Sequence, residues 1–259
     1  MHKQFSDEDG GDLAGKVALV LGGTGLVGTQ VCRRLAARGA SIGVQHHRSS
    51  LDPVLGSRGS SEILDIRLDA QVAGAGSDAV RQVSEALGPP TILVNCYHPH
   101  FDPKPISEST YDKDWTGHLG AMRFYVDAVT AAIPEMRAAR FGRCVFVSGA
   151  LSARSLRGCA PYATVKAGLH AFQRHLALEE GVNGITANTV APGRVTGVDA
   201  REETSEWRDV NRTNEARFAL GSDPDANDVA AATTYLCGVE TGAITGQVIY
   251  LARGEVMPA

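Results

Sequence analysis

The amino-acid sequence predicts an α/β protein: a single domain built on a doubly wound parallel sheet of about seven strands, with helices on both faces. Three observations predict it. Short apolar runs alternate with stretches of helical period from Val17 to Leu251, the pattern of parallel strands and crossover helices. A glycine-rich turn joins the first apolar run to the first helix. No internal repeat or linker composition separates a second domain within the 259 residues, a length ordinary for one α/β unit.

In chain order, residues 1–14 read as a flexible leader with a cluster of acids, and 15–259 as the domain. Val17-Ala18-Leu19-Val20-Leu21 is the first strand, and Val27 to Ala37 the first amphipathic helix, closed by Arg38-Gly39. Between them lie Gly22, Thr24, Gly25, Leu26, Val27 and Gly28. Strand, glycine turn and helix together suit a dinucleotide. Glycines let backbone approach a pyrophosphate, and the helix N-terminus offers free N–H groups and the positive end of its dipole. Ser41 to Gln45 is the second strand, and it runs into His46, His47, Arg48, Ser49 and Ser50. An acid at that place would bind the adenosine ribose, whereas a base would accept a 2′-phosphate. No carboxylate is present and Arg48 offers a planar fork for phosphate, so NADP(H) is favoured over NAD(H).

Glu62 to Leu68 is the third strand, ended by Asp69. A helix over Ser77 to Leu87 stops at Gly88-Pro89-Pro90, and Thr91 to Val94 forms the fourth strand, leading into Asn95 and Cys96. A proline-containing loop precedes a long, mostly helical stretch from about Lys113 to Ala139. Cys144 to Ser148 is the fifth strand, Thr186 to Val190 the sixth and Gln247 to Leu251 the seventh, with a helix over Asp225 to Cys237. Residues 194–222, between the sixth strand and that helix, read as a substrate lid with Trp207 and Phe218 as its apolar side chains.

Composition narrows the function. A formal net charge of −4 leaves no basic footprint for nucleic acid or an anionic membrane. No apolar run reaches the roughly 20 residues of a membrane span. Five scattered cysteines make neither a C-x-x-C pair nor a metal-ligand spacing, which fits a reducing cytoplasm.

The chemistry centres on Tyr162-Ala163-Thr164-Val165-Lys166. Ala163 to Leu178 is rich in helix formers, and residues four apart share a helix face, so phenol and ammonium lie side by side. A neighbouring ammonium favours phenolate and lowers the tyrosine below its ordinary value of about 10. Such a group exchanges protons with an alcohol or carbonyl oxygen. Taken alone, the pair also suits a surface tyrosine stacked on a lysine stem; the glycine turn upstream tips the reading toward catalysis.

From about Leu13 to Met257 the chain resembles the short-chain dehydrogenase/reductase family. The matching residues are the glycine turn, Asp69, Leu93-Val94-Asn95, Tyr162-x-x-x-Lys166, Asn188-x-x-Ala191-Pro192-Gly193 and Ile244-Thr245-Gly246-Gln247. The resemblance implies a Rossmann-like fold and hydride transfer between NAD(P) and a carbonyl or alcohol. It implies Tyr162 as acid/base, with Lys166 tuning it and holding the nicotinamide ribose. It also implies Asp69 at adenine, Asn95 and Cys96 along the ribose side, and Pro192, Gly193 and Val195 beside the nicotinamide. Family members pair into homodimers or homotetramers, which is the expectation here.

Several positions depart from the family pattern. Leu26 stands at the middle glycine, and Cys96-Tyr97-His98 replaces a small-residue segment. Ala121 falls where the relay asparagine belongs, with His118 one turn earlier, and Gly149 falls at the active-site serine. Ser148, just before it, is the serine candidate, with Ser152 the other. The leading expectation is an NADP(H)-dependent oxidoreductase acting on a small organic substrate. The alternatives are non-redox chemistry on the same fold (cyclisation, dehydration or isomerisation, with His98 or His118 assisting) and a catalytically dead binding protein.

Overall fold

Val17–Leu21 (β1) is buried from Ala18 onward, with alternate residues on opposite faces, as a central parallel strand requires. The computed structural model describes residues 11–51, 61–100, 102–197 and 219–257. Around β1 stand Ser41–His46 (β2), Ile63–Arg67 (β3), Ile92–Asn95 (β4), Gly142–Val147 (β5), Ile185–Pro192 (β6) and Val248–Leu251 (β7). They form one seven-stranded sheet in the order β3-β2-β1-β4-β5-β6-β7, parallel at every pairing.

The two faces are read directly from the alternation. Ala18, Val20, Ile42, Val44, Ile92 and Val94 pack under Leu26–Ala37 (α1) and the late helix, Ala226–Tyr235. Leu19, Leu21, Leu93, Cys144 and Phe146 face three further helices: Ala75–Ala86 (α2), Thr116–Ala139 (α3) and Ala160–Glu180 (α4). The late helix is α5. Phe124, Tyr125 and Phe146 are almost wholly buried, and burying a side chain of this kind stabilises by about 1.5–3 kcal/mol. Tyr125 stacks on Phe146, with ring centroids 5.5 Å apart, and its hydroxyl donates to Gln173 Oε1 at 3.1 Å.

Element order agrees with the sequence reading, and the differences lie at ends. Helix α4 begins at Ala160 with Pro161 in its first turn, so Tyr162 stands inside it rather than opening it. Helix α3 starts at Thr116, preceded by a wide π-type turn over Tyr111–Trp115. The end of the expected leader belongs to the folded body: Leu13 is fully buried, and Asp12 is ion-paired with Arg38. Residues 1–10, and residues 198–218 of the expected lid with Trp207 and Phe218, lie outside the described residues. Among the described residues no helix is long and apolar enough to cross a membrane.

Strand order reverses at the β1–β4 pairing, with Leu21 beside Gln45 on one side and Asn95 on the other. Crossovers on either side of such a switch point leave in opposite directions, and a crevice opens at the carboxyl ends of the strands.

Candidate active site

The crevice begins with Gly22, whose φ of +70° favours glycine. A Cβ there would also lie 2.8 Å from the Tyr97 backbone, and one on Gly28 would lie 2.2 Å from Gly22 O. These two contacts explain why the turn needs glycine. A buried side chain fixes it from below: Gly22 N donates to Gln45 Oε1 at 2.9 Å, and Gln45 Nε2 donates to Leu68 O at 2.8 Å. Gln45 was not singled out from the sequence. Its signal was a polar residue near the end of an otherwise apolar strand.

Gly25 is the N-cap of α1 and has no side-chain cap, so the first N–H groups of the helix keep no intrahelical acceptor. Leu26, in the place of a glycine, is 42% exposed and leaves the cap open, while Thr24 and Val27 are half-buried. An open, glycine-lined helix N-terminus at the switch point fits a dinucleotide pyrophosphate. Beyond β2, His46 turns inward onto Asp65, whereas His47, Arg48 and Ser49 are exposed. His47 Nδ1 lies 4.0 Å from Asp69 Oδ1, and that same oxygen accepts from Gln71 N at 2.9 Å.

After β4, Asn95 is buried, and its Oδ1 accepts from Tyr97 N at 3.0 Å, a side-chain turn that redirects the chain. Burial pushes the Cys96 thiol up to about 12, which makes it a poor nucleophile. Tyr97 lies edge-on to Phe124 and accepts at its hydroxyl from Gln71 Nε2 at 2.9 Å. His98 then projects onto Tyr162, with ring centroids 4.7 Å apart. His118, from α3, lies 6.1 Å from Tyr162 and 5.5 Å from His98 by the same measure. Burial, and then the nearby Lys166, lowers both histidines, His98 strongly. Two neutral imidazoles thus flank the phenol.

The carboxyl end of β5 supplies the other wall. Ser148 is buried, and its hydroxyl meets His170 Nε2 of α4 at 2.7 Å. In this state its hydroxyl ties β5 to α4. His170, pushed down to about 4 mainly by burial, is a neutral partner in that contact. Ser152 Oγ donates to Gly149 O at 2.8 Å. A Cβ on Gly149 would lie 2.1 Å from the Tyr162 hydroxyl, so a side chain there requires the phenol to shift.

Tyr162 and Lys166 come together as their helical spacing implies, with Lys166 Nζ 5.7 Å from the Tyr162 ring centroid and 4.6 Å from that of Phe146. Their electrostatics differ from the expectation. Lys166 Nζ donates to Val147 O at 3.0 Å and is buried; burial lowers its pKa to about 7. Burial also raises Tyr162, with the neighbouring Cys159 adding to the rise. Desolvation of both charged forms outweighs the mutual attraction inferred from spacing. The pair in this state is a protonated phenol beside a largely desolvated amine.

At the far side, β6 ends in Ala191-Pro192, Gly193 N donates to Leu251 O at 3.1 Å, and Val195 packs against the α1–α5 side of the core. Asn188 holds this edge. Its Nδ2 donates to Ile244 O at 2.7 Å, and its Oδ1 accepts from Gln247 N at 3.1 Å. The glycine turn, Asn95, the Tyr162–Lys166 pair and Pro192-Gly193 therefore all line the carboxyl end of the sheet.

Known proteins are similar to this chain over nearly its whole length. A family model described as enoyl-(acyl carrier protein) reductase matches residues 25–255. The chain is 30% identical over 241 residues to the acetoacetyl-CoA reductase of Allochromatium vinosum, covering 89% of this chain and 94% of that one. It is 27% identical over 248 residues to the 3-oxoacyl-(acyl-carrier-protein) reductase FabG of Escherichia coli, covering 94% and 98%. Among solved structures, a blue fluorescent protein from a metagenomic library in complex with NADPH superposes with a TM-score of 0.84 at 27% identity, covering 95% of this chain and 100% of that one. A short-chain dehydrogenase/reductase from Serratia marcescens gives 0.83 at 27% identity, covering 94% and 99%. The chain belongs to the short-chain dehydrogenase/reductase family of oxidoreductases.

Proposed function

We propose that the protein is an NADP(H)-dependent ketoreductase, with Tyr162 as the acid that protonates the substrate oxygen. The observation that carries this reading is the protonated, desolvated phenol of Tyr162 beside Lys166 at the end of the sheet where the glycine turn stands. A nicotinamide held beside Pro192 and Gly193 would supply the hydride that the carbonyl carbon takes up. Tyr162 gives its proton to the oxygen as negative charge develops there, so C=O becomes CH–OH. The phenol is in the protonation state that carbonyl reduction uses. Lys166 sits where its ammonium would stabilise the phenolate left behind, and a lysine titrating near neutrality can take up that charge during turnover.

His47 and Arg48 are exposed beyond β2, with Ser49 beside them, and would receive a 2′-phosphate. Leu26, Val27 and Gly28 would hold the pyrophosphate on their backbone N–H groups. Asp69 would lie at adenine, Asn95 and Cys96 along the ribose, and Pro192, Gly193 and Val195 at the nicotinamide. The substrate class is a small organic ketone. The names of the relatives make 3-oxoacyl thioesters the first compounds to try. Assembly as a homodimer or homotetramer and a cytoplasmic location complete the reading.

The test is oxidation of NADPH against a ketone panel, wild type beside Tyr162→Phe. Turnover by the wild type that falls by about 100-fold or more in the variant supports the mechanism. Full activity in Tyr162→Phe, or substrate conversion without loss of NADPH, overturns it.

A further inference from the structure

Two cavities meet at Tyr162's side of the crevice. The inner one, about 10 Å³, touches Asn95, His98, His118, Ala121, Tyr162 and Lys166. That volume holds about one water molecule. The outer cleft, about 150 Å³, is bordered by the loop after β4 and the start of α3. Its titratable side chains are His100, Asp102, Lys104, Lys113 and Asp114, with Lys104 Nζ bonded to Asp114 Oδ1 at 2.8 Å.

The residues common to both linings are Pro99 and His118. Proline has neither an N–H nor a titratable group. Among the described residues, the imidazole of His118, 4% exposed, is therefore the only group shared by the two linings that can pass a proton. A neutral imidazole accepts at one nitrogen and donates from the other, so it can move a proton across a wall without holding charge in it.

We infer that His118 is the relay through which Tyr162 regains its proton from the outer cleft. The inference rests on Tyr162 being the acid of the reaction. After each reduction Tyr162 is left as phenolate. His118 gives up an N–H proton, which reaches the Tyr162 oxygen through a water in the inner cavity or through His98, whose ring adjoins both. An O–H bond forms at Tyr162 as the N–H of His118 breaks. In the same step its other nitrogen takes a proton from water in the outer cleft, whose hydroxide passes to bulk solvent, so the ring stays neutral. Ala121 leaves the inner cavity without a polar side chain of its own on that turn of α3, so the step falls to His118.

The experiment compares wild type, His118→Ala, His118→Phe and Tyr162→Phe, with NADPH affinity as the check on an intact fold. In His118→Ala, kcat is expected to fall on the order of 10- to 100-fold, at or below the low end for direct proton transfer. KM and NADPH affinity stay within about twofold, and the solvent deuterium isotope effect on kcat rises. Imidazole added at millimolar concentration restores much of the rate. His118→Phe keeps a ring in the wall, so it shows the same loss without rescue. It also decides the matter if the alanine variant does not fold. Wild-type kcat in either variant, or a loss in His118→Ala that imidazole does not repair, overturns the relay. Full activity in Tyr162→Phe instead brings down the underlying assignment of the acid, and that outcome is read independently of His118.

Discussion

The hydroxyl of Tyr162 occupies the space that a side chain on Gly149 would need: a Cβ there would stand 2.1 Å from the phenolic oxygen. The glycine at the family's serine position is thus complementary to the tyrosine it faces. Gly149→Ser should lower turnover, because the phenol must leave its place between His98 and Gly149. Overpacking of this kind costs about 1–3 kcal/mol, so the melting temperature should fall as well. Kinetics with NADPH beside thermal denaturation checks both. A rate gain without loss of stability would show that the glycine only marks a decayed site.

Lys166 sets a stability term with a definite sign. Its folded value is about 7 against an ordinary 10.5. Above about pH 7 the unfolded chain holds the proton and the folded chain sheds it, so stability rises with pH. Below about pH 7 both states hold it, and the cost of burial stays at its full size. Thermal melts of the wild type should therefore improve between about pH 7 and 7.5, below the range where cysteine thiols titrate in the unfolded chain. Lys166→Met should be flat by comparison, more stable at pH 7 on the order of 1–3 kcal/mol, and inactive. A wild-type curve with no rise relative to the variant would contradict the buried state of Lys166.

Arg48 is exposed just beyond β2, in a run from His46 to Leu51 that carries no carboxylate. Arg48→Ala should weaken NADPH binding by about tenfold, the worth of a hydrogen bond to a charged group, and leave NADH binding nearly unchanged. Calorimetric titration with both nucleotides decides it. Tighter NADH than NADPH binding by the wild type would reverse the cofactor assignment.

His170 is neutral in the fold, pushed down to about 4 from an ordinary 6.5. As pH falls from about 6.5 toward 4 the unfolded chain gains a proton that the folded chain refuses, and up to about 3 kcal/mol of stability is lost. Below about 4 the loss is complete. His170→Gln can keep a hydrogen bond to Ser148 without this titration. Denaturant unfolding at pH 7 and pH 4.5 should show a smaller acid loss in the variant, and an equal loss would refute the assignment.

Leu178, near the end of α4, is 79% exposed, and Val182 just beyond it is 75% exposed. Such side chains suit a covered surface in a symmetric assembly. Light scattering at micromolar concentration should return a dimer or tetramer mass, and Leu178→Asp should reduce it. A monomer mass for the wild type would end the proposal.

The sequence by itself determined the architecture. Alternating apolar runs such as Val17 to Leu21 carry their own period, and strand–glycine–helix punctuation is local chemistry that survives without coordinates. The pairing of Tyr162 with Lys166 was equally legible, because four residues on a helix always share a face. Only the tertiary structure decided the electrostatics and the cast around the phenol. Spacing shows the attraction between phenolate and ammonium but not the burial that disfavours both charges, so the direction of the Tyr162 shift came out reversed. Gln45, His98, His118 and His170 belong to three helices and strands far apart in the chain, or to the loops at their ends, and no local pattern relates them. Ser148 stood out as the serine just before the family's catalytic position, and only the fold shows its hydroxyl against His170. What a side chain touches is set by how the layers pack, and packing is a property of the whole fold rather than of any stretch of it.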